Sequence, residues 1–237
     1  RANGFCYLND AAFAILSLRA SGLRRIAYVD IDAHHPDGVD VAFRDDPDVL
    51  MISTHEENRW PNTGALEDRG AGNTWNLPLP PGTDDAGAMA AWEGLIAPRV
   101  QAFRPEAIVL QCGADAVLED PLSKLAWSNR AHWRIVEGLK GLTARLIVTG
   151  GGGYNPWSVG RLWAGVWATL TGADIPERLP VAAEAGLRDL RWPARAVGKA
   201  PPEHWFATIA DAPRDSAVSD EVRTRLNVLS ERARVWV

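Results

Sequence analysis

The chain has 237 residues, 46% of them hydrophobic, which is enough for one α/β domain with a sizeable core and excludes extensive disorder. Its net charge of -5, with no basic run, argues against direct nucleic-acid binding and against docking on an anionic membrane. No apolar run approaches the roughly 20 residues of a membrane span and no signal-peptide pattern opens the chain, so a cytoplasmic location is expected.

The chain opens on Arg1 rather than Met and enters a helix almost at once. An α/β domain ordinarily opens on a strand, so an N-terminal part is expected to be absent. Asn9 or Asp10 caps a helix running through Leu18 and ended by Gly22. Arg25 to Asp30 reads as a strand buried on both faces, as in a parallel sheet. Residues after Gly38 to Phe43 fit a short helix, and Asp48 to Thr54 the second strand. A long connection from His55 to Asn73 follows, of the kind that often carries function. Trp75 to Leu79 is a short strand that Pro78 confines to an edge or an end. Thr83 or Asp84 caps a helix to about Phe103. Glu106 to Cys112 is a buried strand, Ser128 caps a helix to about Leu142, and Arg145 to Thr149 is the last strand. Four glycines, Gly150 to Gly153, lead to Tyr154, and Asn155 or Pro156 opens a helix to about Leu170. Residues 174–215 read as irregular packing, with a charged terminal helix from Val218 to Val237. One domain over residues 1–237 is expected, without internal repeats. Cys6 and Cys112 have no CxxC partner and read as buried free thiols of a reducing compartment. The eleven tryptophans read as core or cleft lining.

The chemistry concentrates at Asp30-Ile-Asp-Ala-His-His35. Alternate residues of an extended strand point one way, so Asp30, Asp32 and His34 begin on one face. Two buried carboxylates on one face repel and lose hydration unless a cation or a donor array neutralises them. The plain alternative is a strand end with solvated charges. Strand–helix alternation implies a mostly parallel sheet with helices on both faces, whose ligand site lies beyond the carboxyl ends of the strands. That places Asp32, His34, Asp115 and the Gly150–Tyr154 loop together. Two carboxylates and an imidazole suit zinc or another divalent transition metal. Taken alone, Asp115 reads as an ordinary turn residue. The glycine loop either cradles phosphate, though it fits neither dinucleotide nor P-loop patterns, or presents the Tyr154 phenol to an oxyanion. His35 and Asp37 neighbour the ligands, while His55, His132 and His204 read as structural or surface histidines.

These stretches resemble the zinc-dependent histone deacetylases and their bacterial relatives, the acetoin utilization deacetylases. The matching segments are Gly4 to Asp10, Asp30 to His35 with Asp37-Gly38, Thr63-Gly64, Gln111 to Asp115 with Asp120-Pro-Leu122, and Gly150 to Tyr154, in the family's order across about residues 3 to 170. The resemblance implies the three-layer arginase-like α/β fold with a mostly parallel sheet, its first strands missing here. It implies one zinc ion on Asp32, His34 and Asp115, and Tyr154 as the catalytic tyrosine that polarises the amide carbonyl. It places Gly4, Phe5, Trp60, Leu122 and Gly152 along the acyl-lysine tunnel. It implies a structural potassium ion at Asp30, Asp32, His34, Ser53 and Thr54, and a second such site on the carbonyls of Phe43 and Val49. The implied reaction is hydrolysis of the acetyl amide of acetyl-lysine or acetylated small amines by metal-activated water. Pro36 stands where the family has glycine, and the family's basic histidine pair would precede Arg1, so weak activity or none is expected of these residues alone. The competing readings are an arginase-like hydrolase with two manganese ions and a pseudoenzyme fragment that binds acylated ligands.

Overall fold

Five apolar stretches, β1 (Ile26–Asp30), β2 (Val49–Glu56), β3 (Thr74–Leu79), β4 (Ala107–Gln111) and β5 (Leu146–Thr149), form one parallel sheet in the order β3-β2-β1-β4-β5. The computed structural model describes residues 3–193 and 196–234. The alternation of each strand sorts its side chains to two faces. Ala27, Val29, Leu50, Ile52, Ile108 and Leu110 enter the larger core. Ile26, Tyr28, Val49, Met51, Ala107 and Val109 enter a second core with α1 (Asp10–Ala20) and α2 (Asp37–Phe43). The result is helix, sheet, helix in three layers, as the strand–helix alternation expects.

The helix caps follow the sequence. Asn9 accepts from the Ala12 N–H at 2.9 Å, and Asp84 from the Ala86 N–H at 3.1 Å. The stretch expected as one helix to Phe103 is α3 (Asp85–Ala91), a π-helical turn (Trp92–Ile96) and α4 (Ala97–Phe103). Pro98 has no N–H with which to close the bond to Gly94, so the ladder widens just before it. Ser128 caps α5 (Asn129–Lys140), and Asn155 caps α6 (Pro156–Thr171), which ends on Gly172 at φ 71°.

The stretch 174–215 departs from expectation. It contains α7 (Val181–Asp189), a 3-10 turn (Ala196–Lys199) and α8 (His204–Ala207). α7 has no fully buried residue; Leu187 packs half-buried against the Trp157–Trp205–Phe206 cluster, which leaves a weak signal in the sequence. The terminal helix α9 covers Asp220–Arg234; the expected extension over 235–237 lies outside the described residues. Cys112 is buried, but Cys6 is exposed, contrary to expectation, because the segment from Asn3 to Leu8 lies on the surface.

Candidate metal centre

In chain order the strands run outward from β1 through β2 to β3, then return to the other side of β1 at β4. The crevice beyond the carboxyl ends of β1 and β4 is therefore the switch point of the sheet, where such folds bind ligands. Asp32 and His34 leave the end of β1, and Asp115 leaves the end of β4. The three meet there. His34 Nδ1 lies 3.1 Å from Asp32 Oδ1 and 2.9 Å from Asp115 Oδ2. One ligand atom from each lies within 4.8 Å of the others.

The surroundings hold the carboxylates in place. Asp32 Oδ2 accepts from Gln111 Nε2 at 2.9 Å and from the Gly152 N–H at 2.8 Å. Asp115 Oδ1 accepts from the Ala33 N–H at 2.8 Å. Glycine is required at 113 and 152, where a Cβ would overlap the carboxylates of Asp32 and Asp115 respectively. Burial, and then the charge of Asp32, push Asp115 up to about 7. Burial opposes ionisation of His34, yet its bonds to Asp115 and Asp32 carry it up to about 10. Burial also acts on Asp32, but the bonds from His34 and Gln111 outweigh it and hold that carboxyl below its usual range. A proton on His34 thus sits where a cation would neutralise both acids. The donor set, two carboxylate oxygens and one imidazole nitrogen, fits a divalent ion with a further position open.

Asp30 supports from below. Its Oδ1 accepts from the Asp32 N–H at 3.0 Å, and Tyr28 donates its hydroxyl to Oδ2. Burial and then the Asp32 charge raise its carboxyl well above the ordinary range. Asp30 pairs in register with Ser53 on β2, and next to it the Thr54 hydroxyl is buried with no hydrogen-bond partner. The Phe43 and Val49 carbonyls behave differently: both accept from the side-chain amide of Asn73, at 2.9 and 2.8 Å.

The other expected residues gather around the trio. Tyr154 follows β5, and burial, then the charges of Asp115 and Asp32, raise its phenol to about 12. Phe5 packs edge-on against it at 5.8 Å, and Trp60 lies 6.3 Å from the His34 ring. Gly4 packs against Trp60 so closely that a Cβ would overlap the indole. Leu122 accepts from Arg59 Nη1 at 2.7 Å, tying it to the Trp60 loop. Gly152, expected along the tunnel, donates its N–H to Asp32 and lies so close to Asp115 that a Cβ would overlap its carboxylate. Asp37 lies in the first turn of α2, and His35 bonds Thr63 Oγ1 at 2.9 Å. Two supporting residues were given no role by the sequence reading. Gln111 is signalled by a lone amide ending an apolar strand. Asp120 accepts from the Leu122 and Tyr154 N–H groups and is signalled only by its place before Pro121.

Fold and site thus define an α/β protein with a buried Asp–His–Asp centre at the switch point of a parallel sheet. A family model described as the histone deacetylase domain matches residues 1–170, and the chain belongs to that family. It is 39% identical over 184 residues to the putative histone deacetylase 2 of Caenorhabditis elegans, covering 76% of this chain and 36% of that protein. It is similar to the crystal structure of a histone deacetylase homologue from Aquifex aeolicus, with TM-score 0.90 and 35% identity over 97% of this chain and 63% of that one. A structure described as such a homologue complexed with SAHA matches with TM-score 0.91 and 35% identity, again over 97% and 63%. The chain therefore spans little more than a third of that curated relative and under two thirds of those solved homologues.

Proposed function

We propose that the chain is the metal-holding part of a zinc-dependent deacetylase of the bacterial acetoin utilization kind, acting in the cytoplasm on acetyl-lysine or acetylated small amines. The observation that carries this reading is the Asp32–His34–Asp115 trio, whose ligand atoms converge within 4.8 Å beside the Tyr154 loop. One zinc ion on these residues supplies a Lewis acid for the amide carbonyl and makes a neighbouring water more acidic. The remaining roles fall to the chain. Phe5, packed on Tyr154, and Trp60, beside His34, would wall an apolar passage for an extended acyl-lysine, with Leu122 at its rim. Tyr154 keeps its proton at neutral pH, since its phenol is raised to about 12, and donates it in a hydrogen bond to the developing oxyanion. Gln111 and Gly152 fix the Asp32 carboxylate.

The proton acceptor is not among the other buried histidines. His35 is committed to Thr63, His55 to Ser53 and Gly64, and His132 to the Gly113 carbonyl. Turnover by these residues alone is accordingly slow. A potassium ion at Asp30, Asp32, His34, Ser53 and Thr54 is consistent with the unpartnered Thr54 hydroxyl. Among the described residues, the segment after Ala173 is tied to the rest of the chain by Arg161 and Asp211, paired at 2.6 Å. Among the described residues no helix is long and apolar enough to cross a membrane.

The test combines metal analysis with hydrolysis. Purified protein is expected to hold one zinc ion, and a full-length form to release acetate from an acetyl-lysine peptide or an acetylated polyamine. Tyr154→Phe keeps the zinc and loses on the order of 10²–10³ in rate. Two manganese ions per chain, or tight binding of acetylated ligands without turnover, would overturn the reading.

A further inference from the structure

The resemblance assigns the carbonyls of Phe43 and Val49 to a monovalent cation, but the structure fills that ring from within. Asn73 Nδ2 lies 2.9 Å from the Phe43 oxygen, 3.0 Å from the Asp46 oxygen and 2.8 Å from the Val49 oxygen. Asn73 is 4% exposed. Its other end shows which way the amide faces: Oδ1 accepts at 3.1 Å from the Ala71 N–H, a donor it shares with the Arg44 carbonyl at 2.6 Å. Turned over, the amide would aim its oxygen at three carbonyl oxygens and its NH2 at a backbone donor. The backbone of Asn73 is anchored as well, because its carbonyl accepts from the Met51 N–H at 2.8 Å.

We infer that the side-chain amide of Asn73 takes the place of a cation at this ring, so that the α2–β2 connection closes without potassium. Carbonyl oxygens turned toward one point repel unless something positive sits among them. A potassium ion supplies a full charge in place of its hydration shell. An amide nitrogen supplies two hydrogens with partial positive charge, shared here among three acceptors. The amide interacts more weakly than an ion, but it needs no dehydration and is always present. Its three partners are the end of α2, the turn after it and the first residue of β2. Drawing them together sets the path by which the chain returns from the His34–His35 bend to the sheet. The neighbouring oxygens at Ser53 and Thr54 differ: there the Thr54 hydroxyl has no internal donor or acceptor. The two places expected to hold potassium are therefore built on different plans.

Rubidium, which scatters anomalously, serves as the probe. Crystals of the protein soaked in rubidium chloride are expected to show no anomalous peak among the Phe43, Asp46 and Val49 oxygens, with the Asn73 amide in place. A rubidium ion there, with Asn73 swung aside, would overturn the inference. In solution, melting temperatures in potassium chloride and in tetramethylammonium chloride of equal ionic strength are compared for wild type and Asn73→Ala. The variant should melt lower in tetramethylammonium and gain more from potassium than wild type does. An equal potassium response would show that the ring is not a cation cradle and would likewise sink the idea. If the variant does not fold, the rubidium experiment decides. Neither readout depends on hydrolysis, so failure of the deacetylase reading leaves this inference intact.

Discussion

Asp120 shows how much one side chain outside the Asp32–His34–Asp115 trio can set. Its Oδ1 accepts from the Leu122 N–H at 2.9 Å and its Oδ2 from the Tyr154 N–H at 2.6 Å. One carboxylate thus fixes both the backbone at Leu122 and the loop that carries the Tyr154 phenol. Asp120→Asn leaves one of these N–H groups facing an NH2, so the loop must shift. A misplacement of about 1 Å costs on the order of 10²-fold in rate. The expected result is a fall in kcat of that order with zinc content unchanged; loss of zinc would show that Asp120 acts on the ligands instead. The opposite pattern is expected of Asp115→Asn. Replacing that buried carboxylate removes a ligand charge, so zinc retention fails and activity falls with it, as metal analysis after dialysis would reveal. Asp32 and His34 were legible in the sequence because Asp-x-Asp-x-His stands out against an apolar strand, whereas Asp115 was brought to them only by the rule that such sites lie beyond the carboxyl ends of parallel strands. Asp120 and Gln111 were not assigned, since their roles lie in hydrogen bonds to groups distant in sequence.

Among the elements, α9 illustrates what periodicity does not reveal. A charged terminal helix was expected here, but its task was not. β3 is an edge strand, and an edge exposes unpaired carbonyls. Arg225 donates to the Pro78 oxygen at 2.6 Å and Arg232 to the Thr74 oxygen at 2.7 Å. The Arg232 guanidinium also lies 4.0 Å from the centre of the Trp75 ring. Two arginines two turns apart therefore close the edge that the sheet leaves open. Arg232→Met keeps much of the apolar stem and removes the donor and the stacking charge. A loss of about 2 kcal/mol is expected, from the charged hydrogen bonds to the Thr74 oxygen and, at 3.3 Å, the Asp68 oxygen, together with a cation–π contact. Urea denaturation would measure it, and an unchanged midpoint would show the edge needs no such cover. The strands were legible because each carries a short apolar run, although β2 ends on the polar Ser53 to Glu56 and β5 is only partly buried. α7 was missed because it has no fully buried residue and so leaves only a weak pattern.

For the whole molecule, the parallel run of the strands was the decisive inference the sequence permitted. Alternating strands and helices imply parallel strands, and parallel strands bring their carboxyl ends to one side, so residues 32, 34 and 115 had to converge. What the sequence did not carry is how the folded chain balances that charge, and this balance sets how stability depends on pH. Without metal, Asp115 is pushed up from 3.8 to about 7 by burial and then by Asp32. The stability it contributes is complete below pH 3.8 and is lost as pH rises through about 7. His34, carried from 6.5 to about 10 by its bonds to Asp115 and Asp32 against the opposing effect of burial, contributes fully below pH 6.5. Its share is lost as pH rises toward 10. Both losses run in the same direction, because both protons neutralise a charge that burial would otherwise leave uncompensated. A divalent ion displaces those protons and does their work without titrating, since its ligands bind deprotonated. The difference in melting temperature between zinc-loaded and chelator-stripped protein should therefore widen steadily from about pH 5 to about pH 9. Buried histidines such as His132, lowered to about 4, titrate alike in both forms and cancel from the difference. Thermal melts across that range, with and without chelator, measure it directly; a gap that stays constant or narrows with rising pH would mean the trio is not where the metal binds.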